Sequence, residues 1–134
     1  KGKILQGAAT NGTKRAQTGK LKNSGLGELF DLVFISEDVG FEKPAMEFFD
    51  KVMEDANAWL KEHEAECPYS GGKHLGALKP EEVLMVGDSL TSDMRGANNA
   101  GMIACWYNPK GMVNDKGVKI DYEIKDLHEV LNLL

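Results

Sequence analysis

One stretch constrains this chain more than any other: Val83-Leu84-Met85-Val86-Gly87-Asp88-Ser89-Leu90-Thr91-Ser92-Asp93. An apolar run ends in Gly-Asp-Ser, and a second aspartate follows one helical turn later. This reads as a buried parallel strand stopping at a tight turn, with a helix beginning behind it. Open α/β sheets place their ligands at the carboxyl ends of such strands. Two carboxylates there repel each other unless something positive lies between them, and a hard cation held by oxygen ligands meets that need. The stretch therefore points to magnesium-assisted chemistry on a phosphate. A plain strand-to-helix turn with an aspartate N-cap also accounts for it, because aspartate is frequent at such ends.

Length and composition narrow the field. A chain of 134 residues is one domain or part of one. A hydrophobic content of 42% with 28% charged residues suits a water-soluble globular fold rather than a disordered one. The net charge of −5, with no basic patch interleaved with aromatics, argues against a nucleic-acid surface. The apolar runs are strand-sized, short of the roughly 20 residues a membrane-spanning helix needs. No secretory signal pattern opens the sequence. Cys67 and Cys105 form no disulfide-framework pattern, and Cys105 sits in an apolar run as a reduced core residue, so a cytoplasmic setting is expected.

Lys1 to Ala9 holds a first strand, centred on Ile4-Leu5-Gln6-Gly7-Ala8-Ala9 and weakened by its glycine and alanines. It ends at the polar turn Thr10-Asn11-Gly12-Thr13, before a helix over Lys14–Ser24 with Gly25 as its C′ residue. A hydroxyl and backbone N–H groups facing a helix start make a cradle for a phosphoryl oxygen, although an ordinary Asn-Gly turn reads the same way. Leu32-Val33-Phe34-Ile35 is a second buried strand, followed by a loop through Lys43. Pro44 is expected at the first position of the next helix, which would hold Lys43 at the mouth of the same sheet. Met46, Phe49, Val52, Met53, Ala56 and Leu60 recur at helical spacing, with Phe48 and Trp59 broadening the stripe, so this face is read as core.

Residues 61–78 change character, from a charged run into a loop rich in glycine, and are expected to be a surface insertion. His63, Cys67 and His74 match no strong zinc spacing there. After the central strand, a helix over Ser92–Ala100 ends at Gly101, Met102–Tyr107 forms another strand, and Asn108-Pro109-Lys110-Gly111 turns at the same sheet edge. Asp121–Ile124 gives a short last strand and Leu127–Leu134 a closing helix. The alternation implies an α/β fold with a mostly parallel sheet and helices on both faces.

Thr10-Asn11-Gly12, then Glu42-Lys43-Pro44, then Gly87-Asp88-Ser89 with Asp93 stand in one order at matching sheet ends. Together they resemble the haloacid dehalogenase (HAD) superfamily of phosphohydrolases. The run Met85–Met102, with Ile35–Gly40 and Cys105-Trp106-Tyr107-Asn108-Pro109, looks like the bacterial branch of pyrimidine 5′-nucleotidase-like phosphatases. The resemblance implies a Rossmann-like three-layer sandwich. It implies that Thr10 bonds the transferring phosphoryl group, helped by backbone N–H groups around Asn11 and Gly12. It further implies that Lys43 neutralises phosphate charge and holds the nucleophile's carboxylate. Asp88 would bind Mg²⁺, and Asp93 would support it through water or through Lys43. The family reaction passes through a phospho-aspartate.

The family's Asp-x-Asp nucleophile motif and its helical cap have no counterpart in this sequence. In the family's strand order, which the resemblance implies here, the missing motif belongs to a strand between the Lys3–Ala9 strand and the Val83–Val86 strand, at the centre of the sheet. Two buried edges would then lack partners. Residues 1–134 are accordingly expected to be the C-terminal portion of a HAD-like core, inactive alone. An N-terminal segment or a second copy would complete the sheet. The expected substrate is a small phosphorylated metabolite, such as a nucleoside monophosphate. A phosphomutase or phosphonatase of the same superfamily, or a non-catalytic phosphate- or partner-binding module, would carry the same residues.

Overall fold

Two parallel ribbons organise the molecule. The structure, a computed structural model, describes residues 5–25, 30–62 and 78–133. In the first ribbon β1 (Gly7–Thr10) pairs with β2 (Leu32–Ile35), Gly7 opposite Leu32 and Thr10 opposite Ile35. In the second, β3 (Leu84–Gly87) pairs with β4 (Ile103–Tyr107), and β4 with β5 (Tyr122–Ile124). Every ladder is parallel, as the alternating pattern requires. Among the described residues β1 and β3 share no ladder.

The first crossover, α1 (Lys14–Ser24), has the limits read from the sequence. Thr13 caps it by accepting from the Ala16 N–H at 3.2 Å, and Gly25 ends it at φ 74°, a conformation that costs glycine little. After β2 the expected loop instead contains a short helix, α2 (Ser36–Val39), closed by Gly40 at φ 89°. Pro44 does not open the next helix. The Ala45 N–H donates to the Glu42 carbonyl at 2.8 Å, and the Lys43–Pro44 bond is cis, so Pro44 lies inside a closed turn. The helix α3 then runs over Met46–Glu62. Its buried face is centred on Phe48, Phe49, Ala56 and Leu60, whereas Met46, at the first turn, is exposed.

Most of residues 61–78, including His63, Cys67 and His74, lie outside the described residues. The chain re-enters at Leu78, whose N–H donates to Asn57 Oδ1 on α3 at 2.6 Å. A 3₁₀ turn over Pro80–Glu82 leads into β3. The next helix does not start cleanly at Ser92. A π-helical turn over Leu90–Met94 comes first, then α4 (Arg95–Ala100), ended by Gly101 at φ 78°. The closing segment is a 3₁₀ helix, Leu127–Asn132, rather than an α-helix.

Phe34, Phe48, Phe49, Met94, Ala97, Met102, Ala104 and Trp106 form the core, with Phe48 and Phe49 edge to face at 5.5 Å. Gly96 lets α4 press against α3, because a Cβ there would fall on the Phe49 ring. Gly96→Ala is therefore expected to destabilise the protein by about 1–3 kcal/mol, the usual cost of overpacking, read from urea unfolding. Unchanged stability would mean that the two helices separate freely. No helix among the described residues is long and apolar enough to cross a membrane.

Candidate active site

The carboxyl ends of β1 and β3, and the turn leading into α3, bring the chemistry-bearing side chains together. Lys43 is the centre. Its side chain is 9% exposed, and its ammonium donates to the Ala9 carbonyl on β1 at 2.9 Å and to Asp93 Oδ1 at 2.6 Å. One lysine thus ties the first ribbon to the second. An ammonium has three N–H donors, so one remains for a ligand. The other Asp93 oxygen accepts the Ser89 N–H at 3.2 Å. A buried charge pair with its remaining oxygen bonded is the arrangement such groups require.

Asp93 reaches this position because the wide π-helical turn folds it back over Gly87. Ser89 caps that turn through its hydroxyl, which accepts the Ser92 N–H at 3.1 Å, while its carbonyl accepts from Asp93 and Met94. A Cβ on Gly87 would lie 2.6 Å from both Cβ and Cγ of Asp93. Gly87→Ala is expected to push Asp93 off Lys43, costing about 1–3 kcal/mol of stability by overpacking. An unfolding curve like that of the unmodified protein would contradict this.

The remaining predicted residues fall around this pair. The Thr10 hydroxyl ends β1 with only a long contact, 3.4 Å to the Asn11 carbonyl, and can rotate to another acceptor. Asn11 turns its side chain onto the main chain of Lys43, accepting from the N–H at 2.9 Å and donating to the carbonyl at 3.3 Å. It holds the lysine in place, a role its position after a strand did not suggest. The Gly12 N–H donates to the buried Ser36 hydroxyl at 2.8 Å, and that hydroxyl donates back to the Gly12 carbonyl at 3.0 Å. Gly12 is thus bound to the end of β2. Ser36 is the clasp between the two strand ends.

Asp88 stands apart: it is exposed, and no side-chain partner is found for it among the described residues. Its carbonyl accepts from the Trp106 indole N–H at 3.1 Å. Asp88 and Asp93 offer only oxygen donors, the donor chemistry that magnesium takes. Among the described residues no group of three or more His, Cys, Asp or Glu side chains could hold a metal. A neighbouring cleft of about 510 Å³ is lined by Gly12, Thr13, Ser36, Glu37, Gly40, Phe41 and Glu42, beside the lysine rather than over it.

Residues 2–101 match the model of the haloacid dehalogenase-like hydrolases, and the chain belongs to that family. It is 36% identical to the pyrimidine 5′-nucleotidase PynA of Streptococcus pneumoniae over 95% of its own length and 46% of PynA's. It is 34% identical to the pyrimidine 5′-nucleotidase YjjG of Escherichia coli over all of its length and 51% of YjjG's. The HAD-hydrolase YfnB of Bacillus subtilis, solved with bound magnesium, superposes with a TM-score of 0.79 at 33% identity, over 98% of this chain and 49% of that one. The chain thus spans about half the length of the relatives it matches. It belongs to the haloacid dehalogenase-like hydrolase family, and its relatives include nucleotidases and phosphatases.

Proposed function

We propose that this chain supplies the phosphate-binding and metal-holding side of a Mg²⁺-dependent phosphomonoesterase acting on a small phosphorylated metabolite, with nucleoside monophosphates as the first class to test. The observation that carries the reading is the Lys43 ammonium, buried between the Ala9 carbonyl and Asp93. The Thr10 hydroxyl lies at the end of β1 and the free Asp88 carboxylate at the end of β3.

In this reading Asp93 aims Lys43 through their 2.6 Å contact, and the third N–H of Lys43 binds a phosphoryl oxygen or the nucleophile's carboxylate. Thr10 donates its hydroxyl to a second phosphoryl oxygen. Asp88 would hold Mg²⁺ as a direct ligand, with Asp93 supporting from behind. The metal supplies, when bound, neutralisation of the phosphoryl charge. Donors fixed before the reaction stabilise the charge that spreads in the transition state without reorganising.

Neither Asp88 nor Asp93 serves as nucleophile here, since one is a metal ligand and the other is bonded to lysine. The nucleophile is a carboxylate on a parallel strand between β1 and β3, contributed by an N-terminal segment or a second copy. It attacks phosphorus and expels the alcohol, giving a phospho-aspartate that water hydrolyses.

The test is hydrolysis of p-nitrophenyl phosphate and of nucleoside monophosphates by the full-length protein, with and without EDTA. Activity restored by added magnesium is expected, and residues 1–134 alone should show none. Turnover that survives chelation would overturn the metal assignment, and turnover by residues 1–134 alone would overturn the need for a further strand.

A further inference from the structure

Trp106 is buried, at 4% exposure, and its ring belongs to the hydrophobic core. It faces Gly87 in the β3–β4 ladder, one residue before the turn that carries Asp88. Its indole N–H leaves the core and donates to the main-chain carbonyl of Asp88 at 3.1 Å. A buried tryptophan N–H needs an acceptor. The acceptor used here belongs to Asp88, whose carboxylate is exposed and has no side-chain partner among the described residues.

The rest of the turn is held from the other side. Ser89 gives its N–H to Asp93 and its hydroxyl accepts from Ser92. Locking the Asp88 carbonyl from β4 fixes the peptide plane, and with it the direction from which the Asp88 side chain departs. Partners one step behind a metal-binding group set its orientation and typically change affinity by about 10–100-fold when removed.

We propose that Trp106 is a positioning residue for Asp88: its N–H aims the carboxylate that would bind the divalent cation. The proposal rests on the functional reading above and adds a residue to it. A purely structural role predicts that removing the N–H while keeping a ring lowers stability only. A positioning role predicts weaker magnesium binding at unchanged chemistry.

The experiment compares full-length protein with its Trp106→Phe and Asp88→Asn variants. Half-saturation by Mg²⁺ in the phosphatase assay is measured alongside a magnesium titration of 5-fluorotryptophan-labelled protein by ¹⁹F NMR. Loss of one signal in Trp106→Phe assigns Trp106. The expected result is a Mg²⁺ half-saturation raised about tenfold or more in Trp106→Phe, with kcat at saturating Mg²⁺ within about twofold of the original. The Trp106 signal should shift on magnesium addition in the original protein and stay fixed in Asp88→Asn. A half-saturation within twofold of the original, or a Trp106 signal indifferent to magnesium, overturns the proposal. Should Trp106→Phe fail to fold, Trp106→Tyr assigns the signal, and the titration of the original protein decides. Magnesium dependence that persists in Asp88→Asn sinks the parent reading instead, so the two failures are distinguishable.

Discussion

Replacing Lys43 with methionine is expected to cost about 3–5 kcal/mol of stability and to abolish turnover in the full-length protein, because it strands a buried carboxylate. Both side chains of the Lys43–Asp93 pair are 9% exposed. Without the ammonium, Asp93 Oδ1 loses its bonded partner, Oδ2 keeps only the Ser89 N–H, and the Ala9 carbonyl loses its donor as well. Breaking one side of a buried pair costs far more than removing both, since the second removal takes away the uncompensated charge. The double variant Lys43→Met/Asp93→Asn should therefore recover much of the stability while remaining inactive. Urea unfolding of the original protein, the single variants Lys43→Met and Asp93→Asn, and the double variant gives the coupling directly, and independent effects of the two changes would refute the account of Lys43 as the tie between the ribbons.

Asp88→Asn should behave in the opposite way. The residue is exposed and its side chain bonds to nothing among the described residues, so stability should stay within about 0.5 kcal/mol of the original. Activity should fall by more than about 100-fold, because even partners that only orient a ligand are worth about 10–100-fold. Asparagine keeps the shape and removes the charge that a divalent cation requires. Paired with Lys43→Met, the result separates a residue kept for the reaction from one serving fold and reaction together. Near-normal activity in Asp88→Asn would remove this carboxylate from the chemistry.

Much of the scaffold could be read without coordinates. The helix over Lys14–Ser24 and its Gly25 cap follow from local signals, as do β2, β4 and the Gly101 stop. The misses share a cause. Pro44 was placed at a helix start because proline favours that position, but the turn closed by Glu42 and Ala45 takes it first. The start of the helix behind Gly87 was drawn too simply because nothing local reports that the turn must widen to carry Asp93 back over Gly87. The bond from the Asn11 side chain to the main chain 32 residues away is likewise invisible in the local sequence.

The kinds of group available, their order and the strand ends that carry them follow from amino-acid order alone. Those depend on periodicity, glycine and capping, which act over a few residues. The tertiary structure alone decided which groups touch. Lys43 meets Asp93 across 50 positions, Ser36 meets Gly12 across 24, and Trp106 reaches Asp88 across 18. Such contacts depend on ladder register and on how α3 and the π-helical turn pack on the two ribbons. Burial then makes each contact specific, because a polar group removed from water must find a partner within reach.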